Sequence, residues 1–236
     1  MADVKPIVFI VDDDLSVRES LGLLVESAGW QVETFGSGSE FLSRARVVAP
    51  SCLVLDVVLP ELNGCDLQAL LADRADMPII FISGHDDVPT IVRAMRAGAV
   101  EFLTKPLRDD VLLSAIQSAL ESSSAAMTQA AEIRQLRDRY SSLSRREQEV
   151  MRLIVRGLLN KQVGGELDIS EITVKAHRGK MMRKMNARSL AELVLMAARL
   201  CLTPLQVGSG AIDARHSVQA PTPRRPQSGF AVAASA

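Results

Sequence analysis

Cysteine is scarce in this 236-residue chain: Cys52, Cys65 and Cys201 are the only three. An odd, scattered set supplies neither a disulfide framework nor the paired spacing of a zinc site, and it suits reduced thiols in a cytosol. Long apolar runs are missing too. The longest, such as Cys52 to Leu55 and Met77 to Ile82, fall far short of the ~20 residues that span a bilayer. The first residues, Met-Ala-Asp-Val-Lys-Pro, show no basic stretch followed by an apolar one, so export by a signal peptide is not expected. These absences point to a cytoplasmic protein with no membrane partner. What is present is a globular composition, 47% hydrophobic and 23% charged, in a chain long enough for two cores.

The net charge of −1 hides a division. Residues 1–122 carry 9 Lys and Arg against 19 Asp and Glu, a net of −10, whereas residues 123–236 carry 18 against 9, a net of +9. An acidic half is joined to a basic half, and the basic half is the one suited to a polyanion.

In the acidic half, short β-branched runs alternate with amphipathic stretches. Ile7 to Val11, Gln31 to Phe35, Cys52 to Asp56, Pro78 to Ser83 and Val100 to Leu103 have the length and content of strands. Between them lie helical periods such as Val17, Leu21, Leu24, Val25 and Ala28, closed by Gly29. Five successive β-α units predict a doubly wound α/β fold, a five-stranded parallel sheet with helices on both faces. Ligands of such sheets bind at the carboxyl ends of the strands. Those ends hold Asp12, Asp13 and Asp14 after the first strand, Asp56 after the third, Ser83 after the fourth and Lys105 after the fifth. Crowded carboxylates repel one another unless a cation sits among them, and a hard divalent ion such as Mg²⁺ fits oxygen ligands. With an ammonium and a hydroxyl added, the site suits a phosphoryl group: cations neutralise its oxygens while one carboxylate attacks phosphorus.

The segments VFIVDDD, LVLDVVLPELNG, IIFISGH and AVEFLTKPL, in that order and spacing, resemble the receiver domain of bacterial two-component response regulators, a flavodoxin-like or CheY-like fold. The resemblance covers residues 5 to about 122. It implies that Asp56 is the phosphoacceptor and that Asp13, Asp56 and the backbone carbonyl of Val58 ligate Mg²⁺, with Asp12 holding the ion through water. It further implies that Ser83 contacts the phosphoryl group, that Lys105 is the family's lysine and that Phe102 is the switch aromatic, leaving Asp14 a flanking charge. A haloacid-dehalogenase-type phosphatase also starts from a strand-end Asp but needs a second Asp two residues on, where this chain has Val58. Val58 and His85 flank the path of the hydrolytic water in the receiver fold and are expected to set the phosphoryl lifetime.

Leu120 to Leu143 lacks Gly and Pro, which favours helix. Ile133, Leu136, Tyr140 and Leu143 form one stripe beyond an expected break at Ser122-Ser123-Ser124, suited to pairing with its copy in a dimer or to docking on the next domain, and too short for a stable coiled coil. Ser144 and Glu147 then form a capping box opening a helix with Val150, Met151, Ile154 and Val155 inside, ended by Gly157. A second helix is expected from Asn160 to Leu167, a third from Ser170 to Met185 and a fourth from Ser189 to Leu200. Such an all-α four-helix unit, with two helices joined by a short turn and the later one basic, has helix-turn-helix geometry. On the third helix Val174, Met181 and Met185 face inward, with Lys175, Gly179 and Met182 outward. Residues 141–203 carry a net charge of +6, suited to phosphates without sequence preference. Lys161, Arg178, Lys180 and Arg183 are the expected backbone contacts, and Glu171, Thr173, Lys175, Ala176 and Gly179 the expected base readers.

The stretch LSRREQEVMRLIVRGLLNKQVGGELDISEITVKAHRGKMMRKM resembles the DNA-binding domain of LuxR/NarL/FixJ regulators, and residues 5–202 together resemble the FixJ-type subgroup. Gly164-Gly165 departs from the small residues such as Ala usual in the scaffold helix. A close crossing would justify Gly164 but not Gly165. The implied division is a receiver at 1–122, a helical linker at 123–140, an output domain at 141–203 and a disordered tail at 204–236, where His216 is not expected to be a ligand. The implied activity is phosphorylation-activated promoter binding in a phosphorelay. A sensor histidine kinase serves as donor, Mg²⁺ as cofactor, and a homodimer forms through the face from Thr90 to Leu120; RNA polymerase is contacted as an activator would. The rival is a phosphate sink whose output domain no longer binds DNA. A self-contained enzyme is not expected, since no second nucleophile, nucleotide-binding loop or proton donor accompanies Asp56.

Overall fold

The computed structural model describes residues 5–74, 76–84 and 88–202. Five strands, β1 (Ile7–Val11), β2 (Gln31–Phe35), β3 (Ser51–Asp56), β4 (Ile79–Ser83) and β5 (Glu101–Thr104), form one parallel sheet in the order β2-β1-β3-β4-β5. Helices α1 (Leu15–Ser27), α2 (Gly38–Ser43), α3 (Gly64–Leu70), α4 (Val88–Arg96) and α5 (Asp109–Ser141) supply the crossovers and the exit. Strand residues alternate between two cores, as a sheet covered on both faces requires. Val8, Ile10, Cys52, Val54, Ile80 and Ile82 pack on Leu21 and Val25 of α1 and on Leu112 and Ile116 of α5. Phe9, Val11, Leu53, Leu55 and Phe81 meet Phe41 of α2, Cys65 and Leu67 of α3, and Ala94 of α4. The doubly wound sheet expected from the sequence is therefore present. The chain reverses direction across the sheet at β1 and β3, so the crevice for a ligand lies where Asp12 follows β1 and Asp56 ends β3.

The break expected at Ser122-Ser123-Ser124 does not occur. Helix α5 runs for 33 residues, roughly 50 Å at 1.5 Å per residue. The Ser123 hydroxyl, fully buried, accepts from the Ser51 N–H at 2.9 Å and donates to the Asp76 carbonyl at 2.5 Å. Tertiary hydrogen bonds there override the weak helix preference of serine. Farther along, Leu136 and Tyr140 join a third core, and Glu132 pairs with Arg199 at 2.6 Å.

That third core is made by α6 (Arg145–Ile154), α7 (Asn160–Leu167), α8 (Glu171–Met185) and α9 (Leu190–Arg199), the four helices expected from the sequence. Ser144 and Glu147 make the capping box, and Ser170 and Ser189 cap α8 and α9 through their side chains. Between α7 and α8 the chain turns through Asp168 in the left-handed region, φ 53°. Among the described residues no helix is long and apolar enough to cross a membrane. The tail from residue 204, including His216, lies outside the described residues.

The two glycines of α7 separate cleanly. A Cβ on Gly164 would stand 2.7 Å from the Ile169 carbonyl, in the turn leading to α8, whereas a Cβ on Gly165 meets nothing within 4 Å. Gly165→Ala is predicted to stabilise the helical unit by about 1 kcal/mol, and Gly164→Ala to destabilise it. Urea denaturation followed by helical circular dichroism checks both signs.

Candidate functional site

Each side chain of the acidic site sits at the end of a strand that the sheet holds rigidly. Asp12 is fully buried, Asp56 and Ser83 nearly so, and Asp13 is exposed. Lys105 reaches in from the end of β5, its own N–H bonded to the Ser83 carbonyl at 2.7 Å and the Lys105–Pro106 peptide cis. Its ammonium donates to Asp56 Oδ2 at 2.6 Å and to Asp12 Oδ2 at 2.8 Å. The remaining carboxylate oxygens face backbone: Asp56 Oδ1 accepts from the Val58 N–H at 2.8 Å, and Asp12 Oδ1 accepts from the Asp14 N–H at 2.9 Å. Gly64 lets α3 start directly against β3, because a Cβ there would stand 2.4 Å from the Asp56 carbonyl.

The electrostatics follow from burial. Desolvation pushes the Asp12 carboxyl above its ordinary value of 3.8 and the charge of Asp56 adds to the shift, while Lys105 and the Asp14 N–H oppose it. Burial alone would depress the Lys105 ammonium, but its hydrogen bonds to Asp12 and Asp56 prevail and hold it above 10.5. Asp12, Asp13 and Asp56 each offer an oxygen, all within 4.8 Å of one another. Hard oxygen donors carrying excess negative charge fit a divalent cation of the Mg²⁺ class.

Two further placements refine the sequence reading. Asp14, expected to be a flanking charge, is the N-cap of α1, accepting from Ser16 N–H at 2.8 Å and Val17 N–H at 3.4 Å. Arg18, which sequence reasoning passed over, donates to the Asp12 carbonyl at 2.7 Å and fixes the loop from the α1 side. Phe102 is half-buried, its ring stacked on Phe81 with centroids 6.2 Å apart. Val58 is exposed beside Asp56, and His85 lies outside the described residues.

In the helical unit, Val174, Met181 and Met185 of α8 are buried as expected. Met182, expected outward, is half-buried against the third core, since its place on the helix falls at the border of the buried face. Lys175, Ala176, Gly179, Lys180 and Arg183 are exposed, as is Lys161 at the start of α7. Glu171 pairs with Lys175 at 2.9 Å. The Thr173 hydroxyl lies 2.8 Å from that of Ser170, and the half-buried Arg178 donates to Asn160 Oδ1 at 3.2 Å. Glu147, 3% exposed, does more than cap α6. It accepts from Lys184 at 2.7 Å and from the Ser144 N–H at 2.8 Å, and Lys184 also reaches the Ser142 carbonyl at 3.2 Å. Burial opposes the charge of Glu147, but Lys184 and the cap prevail and hold its pKa below 4.5. The last turn of α8 is thereby tied to the turn before α6. The capping box was legible in the sequence, but a partner 37 residues away carried no local signal.

A strand-end acidic crevice on a doubly wound sheet, followed by a basic helix-turn-helix unit, defines a receiver coupled to a DNA-binding domain. Residues 8–117 match the family described as response regulator receiver domain, and residues 141–197 match bacterial regulatory proteins, luxR family. The chain is 47% identical over 201 residues to response regulator protein TodT of Pseudomonas putida, covering 85% of this chain and 88% of that protein. It is 40% identical over 193 residues to transcriptional regulatory protein FixJ of Bradyrhizobium diazoefficiens, covering 81% and 94%. The solved structure of response regulator StyR superposes with a TM-score of 0.74 at 48% identity, covering 83% of this chain and 99% of that one. The chain belongs to the two-component response regulators of the FixJ type, transcriptional regulators with a LuxR-type DNA-binding domain.

Because Asp12 has a raised pKa in the fold, its contribution favours the folded state at low pH and is lost as pH rises through the raised value. At neutral pH the ionised group therefore weakens the fold. Asp12→Asn is predicted to raise the melting temperature by a few degrees at pH 7, with the gain shrinking in acid. Added Mg²⁺ should raise the melting temperature of the wild type more than that of the variant. Differential scanning calorimetry across pH checks both.

Proposed function

We propose that Asp56 accepts a phosphoryl group from a sensor histidine kinase and that the modified receiver dimerises and delivers α8 to promoter DNA. The observation that carries this reading is the Lys105 ammonium shared between Asp56 and Asp12 at the open end of the sheet. Asp56 Oδ attacks phosphorus while the bond to the donor's histidine nitrogen breaks and its electron pair leaves with the imidazole. Lys105 is placed to follow the incoming phosphoryl oxygens, and the Val58 N–H holds the other acceptor oxygen in line. Asp12, Asp13 and Asp56, with the Val58 carbonyl, would hold Mg²⁺, which supplies positive charge to the same oxygens. Ser83 and Phe102 follow the phosphoryl group toward α4 and β5. The side chain of Val58 cannot transfer a proton, so the chain assists only its own phosphorylation and slow hydrolysis and is not otherwise an enzyme.

Val92, Met95, Val100 and Val111 are exposed on α4, before β5 and on α5, which supports a self-complementary apolar contact between Thr90 and Leu120. Paired copies then set two recognition helices on an inverted repeat. Units at 1–122 and 141–203 joined by the 123–140 segment of α5, a cytoplasmic location and activation through RNA polymerase complete the reading. They rest on the family and on the charge division rather than on a contact within this chain.

Light scattering of the full chain with Mg²⁺ and acetyl phosphate tests it. The mass is expected to double for the wild type and stay unchanged for Asp56→Asn; doubling in both, or in neither, contradicts the proposal. Promoter binding should be lost in Lys175→Ala, and retention of full affinity would remove α8 as the reading element.

A further inference from the structure

We infer that Ile172 is a specificity-determining residue of the output domain and reads the 5-methyl group of a thymine in each operator half-site. The inference rests on the proposal that α8 enters DNA. Buried Val174, Met181 and Met185 fix which side of α8 faces the bundle. The row opposite them is Ile172, Ala176, Gly179 and Arg183, spaced i, i+4, i+7 and i+11 as one helical face demands. Three of these four carry no polar side chain. Ile172 is 80% exposed, the second residue of the helix, and a Cβ on Gly179 would meet nothing within 4 Å.

A row of this kind cannot discriminate bases by side-chain hydrogen bonds over its first two turns. Lys175 lies beside the row and pairs with Glu171 at 2.9 Å, while along the row itself apolar contact is the readout available at the helix start. The base atom group that offers apolar contact in the major groove is the thymine methyl. Residues at the start of a recognition helix are those that reach base edges, and the small side chains at Ala176 and Gly179 let the backbone approach closely enough for Ile172 to touch. Ile172 makes no contribution to the third core, so its replacement leaves the fold intact.

The test uses the full chain treated with Mg²⁺ and acetyl phosphate and a site selected from random duplex DNA. Each thymine of a half-site is replaced in turn by uracil, which removes only the methyl group. Wild-type affinity is expected to fall about fourfold at one such position, the worth of one buried methyl. That sensitivity should vanish in Ile172→Ala and persist in Ile172→Val, with the salt dependence of binding unchanged in both. An identical uracil profile in Ile172→Ala, or wild-type indifference to uracil at every position, overturns the inference. Failure of the wild type to select any sequence overturns the DNA reading of α8 and this inference with it, an outcome distinguishable from the other two.

Discussion

The ammonium of Lys105 between Asp12 and Asp56 is the interaction around which the receiver is organised. Three strands deliver these groups to one point, and each arrives with a charge that its buried surroundings disfavour. A buried carboxylate pair without a cation would drive one of its members to protonate. The lysine supplies that cation beside both carboxylates, and the cost of burial shows in the raised pKa of Asp12. These crowded carboxylate oxygens are what a hard cation can use. The function follows from the way the sheet forces the charges together.

The output domain is held by a different kind of constraint. Its helix α8 is seated by buried Val174, Met181 and Met185 and pinned at its last turn by Lys184 on Glu147. Glu147 also caps α6, so one carboxylate joins the capping of that helix to the placement of α8. Lys184, in the last turn of a basic helix and still exposed, has its ammonium engaged by that carboxylate. Lys175, Lys180 and Arg183 are exposed on α8, Arg183 in line with Ile172, Ala176 and Gly179. Helix α5 belongs to both halves, fastened by Ser123 to the receiver's sheet and by Leu136 to the third core.

Much of this was legible in the sequence, for physical reasons. The central strands β1, β3 and β4, buried on both faces, are continuous apolar runs and could be read directly, β2 and β5 showed by β-branched and aromatic content, and the strand ends then named Asp12, Asp56, Ser83 and Lys105. The serine caps of α6, α8 and α9 are local chemistry and were equally visible. Hidden were features set by tertiary contact. Three consecutive aspartates do not reveal that Asp14 is the one capping α1. Ser122-Ser123-Ser124 looks like an interruption until Ser51 and Asp76 engage Ser123. Met182 lies at a helical border that periodicity alone cannot assign to either side. Arg18 turns back to a backbone carbonyl six residues earlier, and Glu147 pairs with a lysine 37 residues away, and neither contact has a sequence pattern to announce it. Ile172 was visible as a residue, but its significance depends on knowing which face of α8 the bundle had already taken.

The central claim, that this crevice is built to place a phosphoryl group on Asp56, is tested most directly by locating the modification. The chain would be treated with acetyl phosphate and Mg²⁺, trapped with borohydride, which reduces an aspartyl phosphate to homoserine, and digested for tandem mass spectrometry. The account predicts a single converted residue, Asp56, with conversion strongly reduced in Lys105→Ala. Conversion at Asp12 or Asp13 instead, or at no residue while the donor is consumed, would contradict it.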